Sequence, residues 1–350
     1  MRAKNTRKRR NMKKIFKKFT ALFCAMVCSF GGVVGFSACE KDTLDGEAVV
    51  CMPDGAPALA MAKLMHEDTE EDGITYRVVK ADAIASKVSY ENHEENADFC
   101  IMPLNAAAKL LGEGDRYVMV GAVTHGNLYI VSKTETKYTT ENLSSLIGKK
   151  VGVLQINNVP GLTFKTVLNN CGVAWTELKN DGTVAEDKVN LVAIADATAL
   201  ATTEAECFVI AEPAATAQAK NGFKIVGDLQ ALYGGENGYP QAVLVGKKEI
   251  VEVHTLWMEN FIQNIADGAE WLKTATGEQI VAAVNGHLDS TLGESSLKAP
   301  LLKTEVLARC GVRYVVAKDC KEAAISLLQS FVTINSKATA VPKDGFFWTK

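Results

Sequence analysis

Apolar runs alternate with amphipathic segments along most of the chain beyond residue 46. The runs predict strands, and the first three are EAVVCMP, ITYRVVKA and ADFCIMPL. Apolar residues at helical spacing follow each run, in APALAMAKLMH, DAIASKVSYEN and NAAAKLLGEG. Strands that are apolar throughout are typical of parallel strands covered on both faces. The pattern therefore predicts an α/β fold in which helices flank mostly parallel sheets.

The stretch RYVMVGAVTHGNLYIVSK, residues 116–133, is too long for one ordinary strand. Because glycines at 121 and 126 surround His125, we predict that the chain crosses here from one lobe to another. A second series follows: TTENLSSLIGKK predicts a helix, VGVLQ a strand, VPGLTFKTVLNNCG a helix, VNLVAIAD a strand or turn, CFVIAEP a strand and AATAQAKNG a helix. YPQAVLVGKKE then predicts a strand that crosses back.

The last hundred residues have a mainly helical pattern. In HTLWMENFIQNIADGAEWL, Trp257, Phe261 and Ile265 recur every four residues, which predicts a helix with these side chains in the core. RYVVAKDCKEAAISLLQSF predicts a short strand and a helix. The aromatic tail VPKDGFFWTK is expected to dock on the body.

The beginning of the chain is typical of a targeting signal. Residues 1–38 contain ten Lys or Arg and no acid, and the 18-residue apolar run FTALFCAMVCSFGGVVGF follows the basic segment. Its glycines and small-residue exit favour a signal peptide over a membrane span. The chain carries a net charge of −3, and without these ten cations 28 basic and 41 acidic residues leave −13. An acidic body argues against nucleic-acid binding.

The segment GFSAC resembles a bacterial lipobox, which implies cleavage before Cys39 and a lipid on its sulfur. The alternative is cleavage nearby with Cys39 free. Two further cysteines lie in the signal region, and six remain: Cys51, Cys100, Cys171, Cys207, Cys310 and Cys320. No CxxC pair or Cys/His cluster is present, so we expect no metal site. Pairing of Cys310 with Cys320 stays open.

The lipobox, the two α/β lobes and the crossing chain together resemble the solute-binding lipoproteins of ABC importers, with the type II periplasmic-binding-protein fold. Within this family, the chain resembles the branch that contains the receptors for sulfonates, nitrate and thiamine-type pyrimidines. GKKVGVLQINNVPGLTFKTVLNNCGV resembles the start of that branch's second lobe, and ADFCIMPLNAAAKLLGEG its third strand and helix. The segment from RYVVAKDC to the tail resembles the C-terminal end of Gram-positive members.

The resemblance implies a signal peptide over residues 1–38, a tether over 39–46, lobe 1 from 47–125 and 243–350, and lobe 2 from 126–242. A cleft between the lobes would close on the solute by hinge motion. The implied partners are a small-molecule solute, an ABC permease with its ATPase, and the membrane through the lipid on Cys39. The implied protein is a monomer on the outer face of the cytoplasmic membrane of a Gram-positive bacterium.

Candidate ligand-binding residues follow from a rule for open α/β sheets, which bind ligands beyond the carboxyl ends of their strands. Six loops satisfy the rule, three in each predicted lobe. Their candidate residues are Asp54, Gly55, Ala56, Leu104, Asn105, Thr124, His125, Gln155, Asn157, Asn158, Pro160, Gly161, Glu212 and Tyr239.

Several of these residues also have an ordinary structural interpretation. Asp54 sits where it can cap the helix that follows, as Asp often does. Asn157 and Asn158 are equally consistent with a polar turn. His125 suits a structural role in the hinge, and Tyr239 suits a surface turn or a lid over a ring.

None of the six loops contains Arg or Lys, whereas Asp54 and Glu212 are acids. A sulfonate or nitrate normally meets cations or several aimed N–H groups, so we expect a neutral or cationic nitrogen-containing solute. The chain has no GxSxG, P-loop, HExxH or GxGxxG motif, which predicts a binding protein without a cofactor. The alternatives are a surface lipoprotein for sensing or partner binding, and an enzyme similar to pyrimidine-precursor synthases, whose cysteine-rich motif this chain lacks.

Overall fold

The computed structural model of the protein describes residues 44, 47–69, 73–89, 96–179, 182–235 and 238–349. The expectations for the signal peptide and for Cys39 lie outside these residues. Residues 42–350 form one compact unit. None of the helices in the described ranges combines the length and apolar character needed to cross a membrane.

Sheet A takes strands from both the beginning and the end of the described chain. Its strands are β1 (Ala48–Pro53), β2 (Ile74–Val79), β3 (Phe99–Pro103), β4 (Tyr117–His125), β11 (Pro240–Lys247) and β12 (Val312–Val316). Their order is β12-β4-β11-β3-β1-β2. The pairs β1/β2 and β1/β3 are parallel, whereas β11 runs antiparallel to β3 and β4. Sheet A and its helices are called lobe 1 below.

Sheet B comes from the middle of the chain. Its strands are β5 (Leu128–Ser132), β6 (Lys150–Leu154), β7 (Trp175–Glu177), β8 (Val189–Ile194), β9 (Cys207–Ala211) and β10 (Lys224–Asp228). Their order is β10-β5-β9-β6-β8-β7. Strands β9, β6, β8 and β7 are parallel, and β5 and β10 pair antiparallel. Sheet B and its helices are called lobe 2.

Helices connect and flank the strands of both sheets. The α-helices are α1 (Ala56–Ala60), α2 (Ala62–Glu67), α3 (Leu104–Leu111), α4 (Val159–Asn170), α5 (Ala214–Ala217), α6 (Leu229–Tyr233), α7 (Lys248–Val253), α8 (Thr255–Thr274), α9 (Gly277–Asn285), α10 (Thr304–Arg309) and α11 (Ala317–Asn335). The predicted α/β fold class is confirmed. Both sheets are mixed: β11 and β12 run antiparallel to β4 in sheet A, and β5 runs antiparallel to β9 and β10 in sheet B.

The predicted crossing is present between β4 and β5, at Gly126 and Asn127. Gly126 has a φ of 65°, and a Cβ there would lie 2.2 Å from Cγ of Gln230. The Gln230 Oε1 accepts hydrogen bonds from the backbone N–H of Asn127 at 3.2 Å and of Leu128 at 3.0 Å, and from the Tyr239 hydroxyl at 3.2 Å. Glycine is therefore required for this close approach.

The chain returns to sheet A with β11, which starts at Pro240. The predicted lobe limits at residues 125/126 and 242/243 stay predictions. One apolar cluster extends through both lobes, because it contains residues of β4 and β11 together with residues of β6 and β9. Phe331 of α11 and Phe164 of α4 belong to this cluster, and the two helices pack against each other.

The strongly patterned segments form the predicted elements. In α8, Phe261 and Ile265 are buried and Trp257 packs against the same cluster. The tail docks on the body through buried Phe346, Phe347 and Trp348. Cys310 and Cys320 are free, as are the other cysteines of the described residues.

Two predicted helices are wrong in type. Within DAIASKVSYEN and TTENLSSLIGKK the structure has short 3₁₀ helices at Ala81–Val88 and Leu143–Leu146. Polar side chains there bond to the backbone: the Ser86 hydroxyl donates to the Ala83 carbonyl, and the Asn142 amide to the Lys137 carbonyl, both at 2.7 Å. Such bonds compete with a regular helix.

Replacing Phe261 with Ala is expected to lower the free energy of unfolding by about 3–5 kcal/mol, because a buried ring is lost and a cavity remains. The Phe261 ring centroid lies 5.1 Å from that of Phe99 and 4.9 Å from that of Trp257. Urea denaturation measures the difference. The control is Leu256→Ala on the exposed side of the same helix, with an expected change below about 0.5 kcal/mol. Equal losses in both variants would contradict the assigned packing face.

Candidate functional site

A cavity of about 480 Å³ lies where the carboxyl ends of parallel strands from both sheets meet. Its walls include Pro53 at the end of β1, Pro103 at the end of β3, Leu154 at the end of β6 and Ala211 at the end of β9. Open α/β sheets bind ligands at this edge. The predicted site residues that line it are Asp54, Gly55, Ala56, Gln155, Asn158, Pro160 and Glu212.

Asp54 follows β1 at the cavity wall, and it does not cap the next helix. The N-cap of α1 is Gly55, which has no side chain to cap the helix. Asp54 instead accepts two hydrogen bonds of 2.6 Å, from the Ser295 hydroxyl and from the backbone N–H of Ser296. Both carboxylate oxygens of Asp54 therefore already have protein donors.

The loop after β6 reaches across to lobe 1. The Asn105 amide of α3 donates to Asn158 Oδ1 at 3.3 Å, and the Asn335 amide of α11 donates to Asn157 Oδ1 at 3.1 Å. Gln155, which lines the cavity, has a φ of 45°. A non-glycine residue in this left-handed region is strained, and such strain is concentrated at functional sites. The loop thus forms the lobe 2 side of the cavity and also contacts the other lobe.

Lys165 holds this loop in place from inside lobe 2. Its side chain is fully buried in α4, where Nζ donates to the Ile156 carbonyl at 2.9 Å and to Glu177 Oε1 at 2.6 Å. The Nζ atom also lies 5.2 Å from the centroid of the Trp175 ring. A Cβ at Gly161 would lie 2.2 Å from the Ile156 carbonyl oxygen, so glycine lets the helix approach the loop.

Glu212 follows β9, and its side chain is fully buried at the cavity wall. Its Oε1 accepts from Arg309 Nε at 2.7 Å and from the Thr216 hydroxyl at 2.7 Å, and its Oε2 accepts from the Thr216 N–H at 2.9 Å. Arg309 Nη2 also donates to Thr216 Oγ1 at 2.9 Å. Because Arg309 belongs to α10 of lobe 1, this ion pair joins the two lobes.

Two amides lie where the crossing strands pass the cavity. Gln241 Nε2 donates to Asn127 Oδ1 at 2.6 Å, and both residues line the cavity. The Asn127 carbonyl accepts from the Glu212 backbone N–H at 2.9 Å. Neutral hydrogen-bond donors and acceptors therefore lie beside Glu212.

The cavity is also lined by residues that were not among the candidates from the sequence, including Ala81, Asn127, Asp196, Thr198, Gln218, Gln241, Ser296, Lys298 and Leu301. Asp196 follows β8, so the strand-end rule would have selected it had VNLVAIAD been assigned as a strand. The Thr198 hydroxyl and N–H donate to Asp196 Oδ1 and lower the pKa of this carboxyl. Lys298 lies in an irregular segment, where no pattern points to a site, and it pairs with Glu294 at 2.6 Å.

The remaining predicted residues do not line the cavity: Leu104, Asn105, Thr124, His125, Asn157, Gly161 and Tyr239. Thr124 Oγ1 accepts from the Ala242 N–H at 3.1 Å inside sheet A. Tyr239 is neither a surface turn residue nor a lid, because it is 1% exposed and packs against Tyr233. His125 lines a separate pocket of about 290 Å³ that also includes Arg309 and Arg313.

The described residues contain no group of three or more His, Cys, Asp or Glu side chains placed to hold a metal ion. The cavity offers hydrogen-bonding groups and apolar surface, and its chemistry suits the binding of a small organic molecule.

Solved structures of several proteins share this fold. A protein from Parabacteroides distasonis described as an ABC transporter aligns with a TM-score of 0.67 and 17% identity, over 87% of this chain and 100% of its own. The periplasmic aliphatic sulphonate binding protein SsuA from Escherichia coli aligns with a TM-score of 0.59 and 15% identity, over 87% and 92%.

A third similar structure is the zinc-bound ligand binding component of an ABC-type import system from Staphylococcus aureus. It aligns with a TM-score of 0.56 and 13% identity, over 87% of this chain and 96% of its own. Identities this low establish the two-lobed fold alone. No protein-family model matches the sequence, and no curated protein matches it either.

Replacing Lys165 with Met is expected to lower the free energy of unfolding by about 1–3 kcal/mol, because the Ile156 carbonyl loses its buried donor. Amide hydrogen exchange at residues 155–158 should become faster. The control is Lys150→Met, whose partner Glu204 is 92% exposed and whose loss should cost under about 1 kcal/mol. Unchanged exchange in the loop would show that Lys165 does not hold it.

The stability of the protein is expected to depend on pH through His125. Burial, with the Arg313 guanidinium as a smaller cause, lowers the pKa of His125 from 6.5 to about 4. The unfolded chain binds this proton more strongly, so stability present above pH 6.5 is lost as the pH falls toward 4, by up to about 3 kcal/mol. Unfolding free energies at pH 7.5 and 4.5 measure the loss. The His125→Gln variant should lose less unfolding free energy between these two pH values than the parent protein. An equal loss in both proteins would show that His125 is not the group responsible.

Proposed function

We propose that this protein is the extracytoplasmic solute-binding component of an ABC importer. It captures a small nitrogen-containing solute between its lobes and delivers it to a permease and its ATPase. The observation that carries the proposal is the cavity of about 480 Å³ lined by both sheets at their strand ends. The fold supports it as well, since the Staphylococcus aureus protein is described as the ligand binding component of an import system.

Opening the cavity for solute entry requires contacts between the lobes that break at low cost. The Asn105–Asn158 and Asn157–Asn335 hydrogen bonds are of this kind, because water replaces amide hydrogen bonds with little net change in free energy. The connection at Gly126 and Asn127 is the natural hinge. We propose that the lobes rotate about it as the solute enters and leaves.

Binding without catalysis is favoured by the chemistry of the wall. No His or Cys belongs to the set of described residues that line the cavity. Burial raises the pKa of the Cys51 and Cys100 thiols, which keeps these groups protonated and poorly nucleophilic. Asp54 and Glu212 already accept hydrogen bonds from the protein. Among the described lining residues, no imidazole or thiol is available to pair with a hydroxyl as base or nucleophile.

The proposal includes export and anchoring. Residues 1–38 have the basic and apolar pattern of a signal peptide, and Cys39 would carry the lipid that holds the monomer at the outer face of the membrane. The polar segment EKDTLDGE that follows suits a tether between the lipid and the folded body. A protein so placed meets solutes before the permease does.

A cavity-filling variant tests the proposed function. A thermal-shift screen of residues 42–350 against pyrimidines, amines, amino acids, sulfonates and nitrate should give a ligand, which at 100 times its dissociation constant adds about 2.7 kcal/mol of stability. Ala195→Trp, at the cavity wall, is expected to abolish that shift by occupying the space of the solute. Ala201→Trp, exposed and outside the wall, should keep it. An undiminished shift in Ala195→Trp would place the solute elsewhere.

A further inference from the structure

Resting on the proposed function, we infer that the solute is uncharged, and that Arg309 determines this preference by cancelling the charge of Glu212 in the cavity wall. Glu212 belongs to lobe 2 and Arg309 to lobe 1. One lobe therefore supplies the counter-ion for an acid of the other lobe.

The pairing changes what Glu212 offers to a ligand. An unpaired carboxylate in a buried wall carries a large desolvation cost and attracts a cationic group. Here both oxygens of Glu212 accept hydrogen bonds from Arg309 or Thr216, and the positive charge is already present. A cationic solute would have to compete with Arg309 for this acid. Glu212, which in the sequence suggested a cationic solute, therefore already has its hydrogen-bond donors and its counter-ion within the protein.

The other acids of the wall have neutral donors or water as partners. Both oxygens of Asp54 accept from Ser295 and Ser296, whereas Asp196 is exposed, accepts from Thr198 through Oδ1 and has its charge screened by solvent. Lys298 pairs with Glu294 and also donates to the Ser295 carbonyl at 3.2 Å. An anionic solute would meet no free cation among the described residues of the wall, because Lys298 is its sole lining cation.

Neutral groups make up the rest of the wall. More than half of the lining residues are Ala, Pro, Gly, Val, Leu or Ile, and none of those described is aromatic. The remaining hydrogen-bonding side chains are the hydroxyls of Thr198 and Ser296 and the more numerous amides, which are Asn127, Gln155, Asn158, Gln218 and Gln241. Amides donate to and accept from uncharged polar groups equally well. The wall therefore fits a compact, largely aliphatic solute with an uncharged polar group such as an amide or lactam.

The interlobe pair lies beside the chain crossing, because the Glu212 N–H donates to the Asn127 carbonyl, and the His125 N–H donates at 2.8 Å to the carbonyl of Gly311, two residues after Arg309. A solute that carries its own cation to Glu212 would displace Arg309, whereas an uncharged solute leaves the pair intact.

A set of charge variants tests this inference. The probes are cyclohexanecarboxamide, cyclohexylmethylamine and cyclohexanecarboxylate, which share one ring and differ in charge, together with pyrimidines, lactams, polyamines and sulfonates. Dissociation constants are measured by calorimetry on residues 42–350. For the parent, we expect uncharged probes to bind at least about tenfold more tightly than charged probes of the same shape.

The two single variants should change the preference in opposite directions. Arg309→Gln leaves Glu212 without its cation, so the amine should gain at least about tenfold relative to the carboxamide. Glu212→Gln leaves Arg309 without its anion, so the carboxylate should gain instead. Arg309→Lys keeps the charge and should keep the parent order. The double variant removes both charges and should restore the parent order, which a merely structural role of Arg309 would not predict.

The outcomes separate this inference from the proposed function. Tighter binding of a charged probe by the parent, or an unchanged order in both single variants, overturns the inference and leaves a solute receptor in place. Binding of no probe by the folded protein overturns the proposed function and this inference with it. If Arg309→Gln does not fold, the Glu212→Gln variant and the double variant still decide the matter.

Discussion

The side-chain oxygen of Gln230 holds together the two chain connections on which the two-lobed arrangement depends. It accepts from the backbone of Asn127 and Leu128 on the outgoing connection and from the Tyr239 hydroxyl on the returning one. Gly126 leaves room for this side chain. Since β4 and β11 belong to one sheet and β5 and β10 to the other, fixing this point determines which strand ends face each other.

Polar side chains at the facing strand ends need hydrogen-bond partners, and each lobe takes some of these partners from the other lobe. Asn158 binds Asn105 and Glu212 binds Arg309, in both cases across the lobes. The buried Lys165 fixes the loop on one side of the cavity, so that its cross-lobe contacts form at a defined place. The cavity therefore depends on hydrogen bonds and an ion pair between the two lobes. Its polarity is determined by these contacts more than by the side chains of either lobe alone.

Local pattern was sufficient for the fold class and for part of the candidate site. Asp54 and Glu212 directly follow strands that are apolar throughout, so their position is readable from neighbouring residues. The rule that ligands bind beyond strand ends wrongly selected Thr124 and Tyr239. Both residues are buried where β4 and β11 connect the two lobes. Lys298 and Arg309 come near the cavity only through long-range packing of irregular or helical segments. The charge of the wall could not be deduced without them.

The Ala and Pro lining of the cavity has a consequence for how such a protein diversifies. Its wall contains many alanines, among which Ala81 and Ala195 are exposed and Ala214 is only partly buried. Exchanging one of these for a larger residue reshapes the cavity without removing a side chain from either core. Under the proposed function, single substitutions at these positions would change which related solutes fit while the folded scaffold is kept, so this chain would be a suitable starting point for engineered sensors.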